Sequence, residues 1–252
     1  MVPTNEGGCG FIGHHAVEHF ALNTPNRIVI IDKLSYASRG FERLKDSGIM
    51  DRVTCWPIDL CTPITPGMRL LLQPDRIEFI IHMAADTHVD NSISDPVPFV
   101  QNNVNSTLQL LEFARTLPNL KRFVYFSTDE VYGPAEDGFV GFSEWDRHRP
   151  SNPYSASKSA AEAICYSYYN TYGVPLMSCN VMNAFGERQH PEKFIPLAIN
   201  KIMNGEAITI HAHPQALGAP MRAGSRFYIH ARNVSWQFEL KRKLPYLFIA
   251  PS

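Results

Sequence analysis

Short β-branched and aromatic runs, alternating with segments of helical length, constrain this chain more than any other feature. Arg27–Asp32, Val53–Ile58, Phe79–His82, Arg122–Ser127 and Leu176–Asn180 are four to six residues long and mostly apolar, the texture of strands buried on both faces. Between them, Phe11–Leu22, Arg39–Asp46, Val97–Arg115 and Tyr154–Tyr172 have helical length and spacing, with Pro118 and Gly173 marking two ends. Strand and helix in alternation make a parallel sheet covered on both faces. The expected fold class is therefore α/β, a Rossmann-type doubly wound parallel sheet. The pattern also calls for a hydrophobic strand ahead of the first helix, and Met1–Glu6 offers one apolar pair and a proline. That strand is expected to be short or missing.

From about Phe185 the texture changes. Glu187–Lys193 is a polar loop, Ile195–Asn204 reads as one further helix, and Gly205 onward alternates weakly and is rich in Ala, Gly and Pro. The expected division is a cofactor-binding Rossmann domain over 1–184 and a partial, truncated substrate lobe over 185–252, with Tyr246–Ala250 as its last strand candidate.

Composition excludes several classes of function. A formal net charge of -1 over 252 residues argues against nucleic acid or an anionic membrane as a bulk electrostatic partner. No apolar run reaches the roughly 18 residues of a membrane span, and no charged-then-apolar segment opens the chain. Cys9, Cys55, Cys61, Cys165 and Cys179 are odd in number and scattered without a Cys-x-x-Cys pair. They read as reduced thiols of a cytoplasmic protein. His15 and His19 have helical i, i+4 spacing, but no third ligand accompanies them, so no metal site is expected. Ser127 lacks the Gly-x-Ser-x-Gly elbow of a hydrolase nucleophile.

Two motifs carry chemistry. Gly7-Gly8-Cys9-Gly10-Phe11-Ile12-Gly13 opens a helix, and Asp32 ends the next strand candidate nineteen residues later. Glycines let backbone approach a pyrophosphate, the helix N-terminus offers free N–H groups, and a carboxylate at that distance accepts from a ribose diol. The same carboxylate repels a 2′-phosphate, which favours NAD over NADP. The second motif is Ser127-Thr128-Asp129-Glu130-Val131-Tyr132-Gly133, followed by Tyr154-Ser155-Ala156-Ser157-Lys158. Tyr154 and Lys158 lie one above the other on a helix face, where an ammonium favours the phenolate of a side chain whose ordinary pKa is about 10. Thr128, Asp129 and Glu130 fall at the carboxyl end of a strand, where open α/β sheets bind ligands. A tyrosine base, a lysine helper and an acid pair suffice for a redox-assisted elimination on a sugar.

With those residues in order, the chain resembles the extended short-chain dehydrogenase/reductase family, and within it the nucleotide-sugar 4,6-dehydratases. The likeness runs from about Gly7 to Val234 through GGCGFIG, IDKLSYAS, Asp59-Leu60, HMAADTHVD, STDEVYG, YSASK and the HPEKFIP loop. By this resemblance Gly7, Gly10, Phe11, Ile12 and Gly13 hold the phosphates of NAD, Asp32 and Lys33 its adenosine ribose, Asp59 and Leu60 its adenine, and Ala84, Ala85 and Thr87 its nicotinamide half. Tyr154 and Lys158 serve cofactor and catalysis together. His88, Asn183, Lys193 and Arg226 match positions that contact the sugar nucleotide.

The resemblance implies that Tyr154, assisted by Thr128 and Lys158, takes the proton of the sugar 4-hydroxyl while hydride passes to NAD. Glu130 then removes the hydrogen on carbon 5 and a protonated Asp129 supplies the departing 6-hydroxyl. The product is a 4-keto-6-deoxy sugar on a dTDP or UDP carrier, and the assembly is a homodimer through Val97–Arg115 and Tyr154–Tyr172. A 4-epimerase of the same family, or a binding protein without turnover, stands as the alternative. The Asp129–Glu130 pair separates them, since related epimerases carry small hydroxylated or apolar residues there.

Overall fold

The computed structural model describes residues 7–35, 38, 40–135, 141–211 and 228–230. Along these the chain runs α1 (Phe11–Asn23), β1 (Ile28–Asp32), α2 (Gly40–Lys45), β2 (Val53–Pro57), α3 (Pro66–Leu72), β3 (Phe79–His82), α4 (Val89–Ser94), α5 (Pro96–Ala114), β4 (Arg122–Thr128), α6 (Pro153–Tyr172), β5 (Leu176–Val181), α7 (Phe194–Met203), β6 (Thr209–His211) and β7 (Tyr228–His230). A 3-10 turn, Asp129–Tyr132, follows β4 directly. The strand candidates Met1–Glu6 and Tyr246–Ala250 lie outside the described residues.

The strands are parallel wherever the alternation predicts it. β1 pairs with β2, placing Ile30 beside Cys55, while β3, β4 and β5 pair in that order. This is the parallel, Rossmann-type α/β fold expected from the alternation, with one difference. Among the described residues the sheet comes in two pieces, because no strand pairs with the second edge of β1 or of β3. Side chains near that break stay open to solvent: Val29, Phe79 and Ile81 are all exposed. β6 and β7 form a separate antiparallel pair.

The main core lies between β4 and the helices α5 and α6. Leu111, Phe123, Ala161 and Cys165 are fully buried there. Along β4 the side chains of Phe123, Tyr125 and Ser127 turn inward, as a period-two strand requires. Burying each large ring is worth roughly 1.5–3 kcal/mol. Helix starts and stops follow local chemistry. Pro96 and Pro153 occupy the first turns of α5 and α6, where the missing N–H costs nothing. Gly173 ends α6 in the left-handed region at φ 71, a conformation that suits glycine. The consequence for function is placement: β4 and α6 deliver their ends to one spot.

Candidate functional site

The glycine-rich turn is as tight as its sequence implies. A Cβ on Gly13 would stand 2.0 Å from the Gly7 carbonyl oxygen and 2.8 Å from Gly8 Cα. Gly10 is the N-cap of α1 and has no side chain to close its amides, so the first turn of α1 offers free donors to an anion. Ile12 is exposed beside it. A cradle that any side chain would fill, with helix amides behind it, fits the pyrophosphate of a dinucleotide.

Asp32 is built into this turn. Its carboxylate accepts the Cys9 N–H at 2.9 Å, the Leu34 N–H at 2.8 Å and the Ser38 hydroxyl at 3.3 Å. Only 2% of the residue is exposed. Burial pushes its carboxyl above the ordinary range, against the pull of those hydrogen bonds. Cys9 lies under the same turn with its sulfur 3.8 Å from that of Cys55. Lys33 reaches Asn102 Oδ1 at 3.3 Å. Asp59 caps its own turn by accepting the Cys61 N–H at 2.9 Å, and Leu60, Ala84 and Ala85 are buried.

A polar network holds the 84–87 segment. Asn103 accepts the Asp86 N–H at 2.7 Å and donates to the Asp86 carbonyl at 3.0 Å and to Ser157 Oγ at 2.9 Å. It thereby ties α5 to that segment and to α6. Thr87 receives the Lys193 ammonium at 3.2 Å, which joins the HPEKFIP loop to the segment. His88 caps α4 by accepting the Asn91 N–H at Nδ1, 3.3 Å. Asn183 is exposed. Arg226 lies outside the described residues.

β4 ends in the turn that carries the acid pair, and α6 starts beside that turn. Thr128 Oγ1 donates to Asp129 Oδ1 and accepts the Glu130 N–H, each at 3.3 Å, so this hydroxyl caps the 3-10 turn that carries both acids. Glu130 is half-buried, and desolvation raises its carboxyl above the usual range; Asp129 pushes the same way, while Asn152 and Lys193 oppose it. Tyr154 and Lys158 stand on α6 and are buried. Lys158 donates to the Phe126 carbonyl at 2.6 Å and lies 4.3 Å over the Tyr125 ring. Burial lowers its ammonium to about 8, close enough to neutrality for the charge to respond to its neighbours.

Three residues outside the sequence motifs support this spot. Ser92 accepts the Tyr154 N–H at 3.3 Å, Asn103 locks Ser157, and Asn152 both caps α6 and donates to Glu130. Only Asn152 carried a local signal, an Asn-Pro helix start. The histidines near α1 make local contacts: His14 Nδ1 faces the Gly10 carbonyl at 2.9 Å and His15 Nε2 the Glu187 carbonyl at 3.0 Å. Among the described residues no group of three potential metal ligands occurs, and no helix is long and apolar enough to cross a membrane.

Parallel strands, a glycine turn opening α1 and a Tyr-x-x-x-Lys pair behind a strand-end acid pair define a Rossmann-type unit of the extended short-chain dehydrogenase/reductase class. Within that class the chain belongs to the GDP-mannose 4,6 dehydratase family, whose pattern matches residues 6–213. It is 36% identical over 221 residues to dTDP-glucose 4,6-dehydratase 1 of Escherichia coli, covering 81% of this chain and 60% of that one. It is 35% identical over 236 residues to a trifunctional UDP-glucose 4,6-dehydratase/UDP-4-keto-6-deoxy-D-glucose 3,5-epimerase/UDP-4-keto-L-rhamnose-reductase of Arabidopsis thaliana, covering 93% of this chain and 34% of that one. The crystal structure of DesIV, the dTDP-glucose 4,6-dehydratase of Streptomyces venezuelae with NAD bound, superposes with a TM-score of 0.71 at 31% identity, over 79% of this chain and 61% of that one. The chain thus spans about one third to three fifths of the length of these relatives.

Proposed function

We propose that this chain carries the catalytic half of an NAD-dependent nucleotide-sugar 4,6-dehydratase, a hydro-lyase acting on dTDP- or UDP-glucose. The observation that carries the reading is the pair of adjacent carboxylates with unlike partners, Asp129 on the Thr128 hydroxyl and Glu130 on the Asn152 amide, on a turn that follows β4. An elimination needs two carboxyl groups in different protonation states at neighbouring carbons; an inversion at carbon 4 needs neither.

Gly7, Gly10, Phe11, Ile12 and Gly13 would hold the cofactor phosphates, Asp32 and Lys33 its ribose, Asp59 and Leu60 its adenine, and Ala84, Ala85 and Thr87 its far half. A bound NAD would supply reversible hydride chemistry, removal from carbon 4 and return at carbon 6. Tyr154 receives the proton of the 4-hydroxyl, with the buried Lys158 ammonium favouring the phenolate and Thr128 orienting the hydroxyl. The ketone so formed acidifies the hydrogen at carbon 5, which Glu130 removes. Its raised pKa suits a base working near neutral pH. Asp129 is the acid that gives its proton to the 6-hydroxyl, which leaves as water, and the proton taken up by Glu130 goes back to carbon 5 as hydride returns to carbon 6. His88, Asn183, Lys193 and Arg226 are the proposed contacts to the sugar diphosphate, an ammonium and a guanidinium suiting a pyrophosphate.

Residues 1–184 form the cofactor domain and 185–252 part of the substrate lobe. A homodimer pairs α5 and α6, which expose Val97, Val100, Tyr166 and Tyr169. The five free thiols suit the cytoplasm.

The test is incubation with NAD and, separately, dTDP-glucose and UDP-glucose, with mass analysis of the sugar nucleotide. Loss of one water, abolished by Glu130→Gln, is the expected result. An inverted sugar of unchanged mass would establish the epimerase instead, and an untouched sugar a binding fold.

A further inference from the structure

The carbon-5 base needs something to hold it. Glu130 sits on a one-turn 3-10 helix, and among the described residues its carboxylate makes one hydrogen bond, from Asn152 Nδ2 to Oε2 at 3.2 Å. Asn152 is also the N-cap of α6. Its Oδ1 accepts the Ser155 N–H at 2.8 Å, and Ser155 Oγ accepts the Asn152 N–H at 3.3 Å, a reciprocal capping box. The cap fixes which end of the amide is which. With Oδ1 bound to a backbone donor, Nδ2 must be the end that faces Glu130, and a carboxylate is what an N–H needs there.

We propose that Asn152 is the positioning residue for the carbon-5 base, registering Glu130 to the helix that carries Tyr154 and Lys158. The proposal rests on the dehydratase reading and adds to it the device that aligns its two proton transfers. Tyr154 follows Asn152 by two residues and acts at the 4-hydroxyl, while Glu130 acts at the adjoining carbon. One side chain touching both elements sets the separation of the two bases. Helix capping alone asks only for an oxygen at this position, which serine and aspartate also supply. The Nδ2 donor is the additional feature.

That difference separates the two roles experimentally. Asn152→Ser keeps the cap but is too short to reach Glu130, and Asn152→Asp keeps the cap but replaces the donor with a carboxylate. Both variants should keep the melting temperature and helical signal of a folded chain. The first measurement is the titration of Glu130, followed by NMR of side-chain 13C-labelled glutamate and assigned with Glu130→Gln. The groups facing Glu130 are Asp129 on its own turn, Asn152 at the start of α6 and Lys193 at the start of α7. Removing the Asn152 donor leaves Asp129 to oppose ionisation and Lys193 alone to favour it. The Glu130 midpoint should therefore move upward in Asn152→Ser and further in Asn152→Asp.

The second measurement is turnover with NAD and the sugar nucleotide. In Asn152→Ser, kcat should fall on the order of tenfold to a hundredfold with KM changed less than about twofold. Its acid limb should shift to higher pH, and a primary isotope effect should emerge on substrate deuterated at carbon 5. A Glu130 midpoint unchanged in both folded variants overturns the proposal. So does a loss of turnover in which KM absorbs the change and no isotope effect appears, since that is the mark of a general structural role. A wild-type chain that removes water from neither sugar refutes the dehydratase reading instead, and the Glu130 titration still decides whether Asn152 sets that carboxylate.

Discussion

Replacing His82 with glutamine should remove a large part of the acid sensitivity of this fold. His82 closes β3 with its ring against Phe123 and Tyr125 and its Nε2 2.9 Å from Thr107 Oγ1. Its Nδ1 is buried without a hydrogen-bond partner among the described residues. Burial, with a smaller push from Lys158, lowers the imidazole from 6.5 to about 3. The folded state therefore keeps His82 neutral where the unfolded chain protonates it. Stability linked to this group is fully present above pH 6.5 and is lost as pH falls toward about 3. Each unit of that interval is worth about 1.4 kcal/mol, so the cost reaches about 2 kcal/mol near pH 5.

Urea unfolding followed by circular dichroism, at about pH 7.5 and about pH 5, isolates this contribution. Glutamine can still reach the Thr107 hydroxyl, and whatever packing it loses is the same at both pH values. His14, also buried and lowered to about 4, is present in both proteins, as are Asp32 and Glu130, whose raised carboxyls act with the opposite sign. These cancel in the comparison. Wild type should lose about 2 kcal/mol more than His82→Gln between the two conditions. Equal losses, within about 0.5 kcal/mol, would refute the assignment of a neutral buried imidazole.

Four further results are expected. Gly13→Ala drives its methyl into the Gly7 and Gly8 backbone, so calorimetry should find NAD affinity reduced by at least about tenfold and stability by roughly 1–3 kcal/mol. Gly48→Ala meets no atom within 4 Å and should cost only its left-handed backbone strain, about 1 kcal/mol, with NAD binding intact. In the pH profile of turnover, rate should decline as pH rises through about 8, where Lys158 loses the charge proposed to favour the Tyr154 phenolate. Lys158→Met should lower kcat on the order of a hundredfold or more, read in the same assay.

The sequence announces elements whose signal is local and hides those whose signal is a partner far along the chain. Each strand candidate over the described residues lies within two residues of its observed bounds, because β-branched and aromatic runs between turn residues have few other uses. The long helices α5 and α6 were legible from length and from their flanking Pro and Gly. α3 went unread although Thr65, Pro66 and a leucine run mark it, and Thr65 Oγ1 does accept the Met68 N–H at 3.3 Å. α4 gave less to read: six residues with a histidine as cap. At the site, the residue types of the Thr128–Glu130 and Tyr154–Lys158 motifs were visible, while their supports were not. Asn152 meets Glu130 across 22 positions and Asn103 meets Ser157 across 54. Nothing in either residue's own neighbourhood names its partner.

Those supports give two adjacent carboxylates unlike surroundings. Consecutive residues on an extended strand would point to opposite faces, whereas the 3-10 turn after β4 keeps Asp129 and Glu130 near one another and one hydroxyl, Thr128, governs both: it donates to the Asp129 side chain and accepts the Glu130 backbone N–H. Glu130 is then carried toward the start of α6, where solvent is partly excluded and the Asn152 amide waits. The unlike surroundings therefore arise from where β4 stops and where α6 begins, and both are fixed by ordinary packing and capping, with Phe123 and Tyr125 anchoring one and Asn152, Pro153 and Ser155 the other. A substitution at Asp129 or Glu130 removes one of the proposed reacting groups. One at the ends of β4 or α6 leaves the groups in place and alters the hydrogen bonds that surround them.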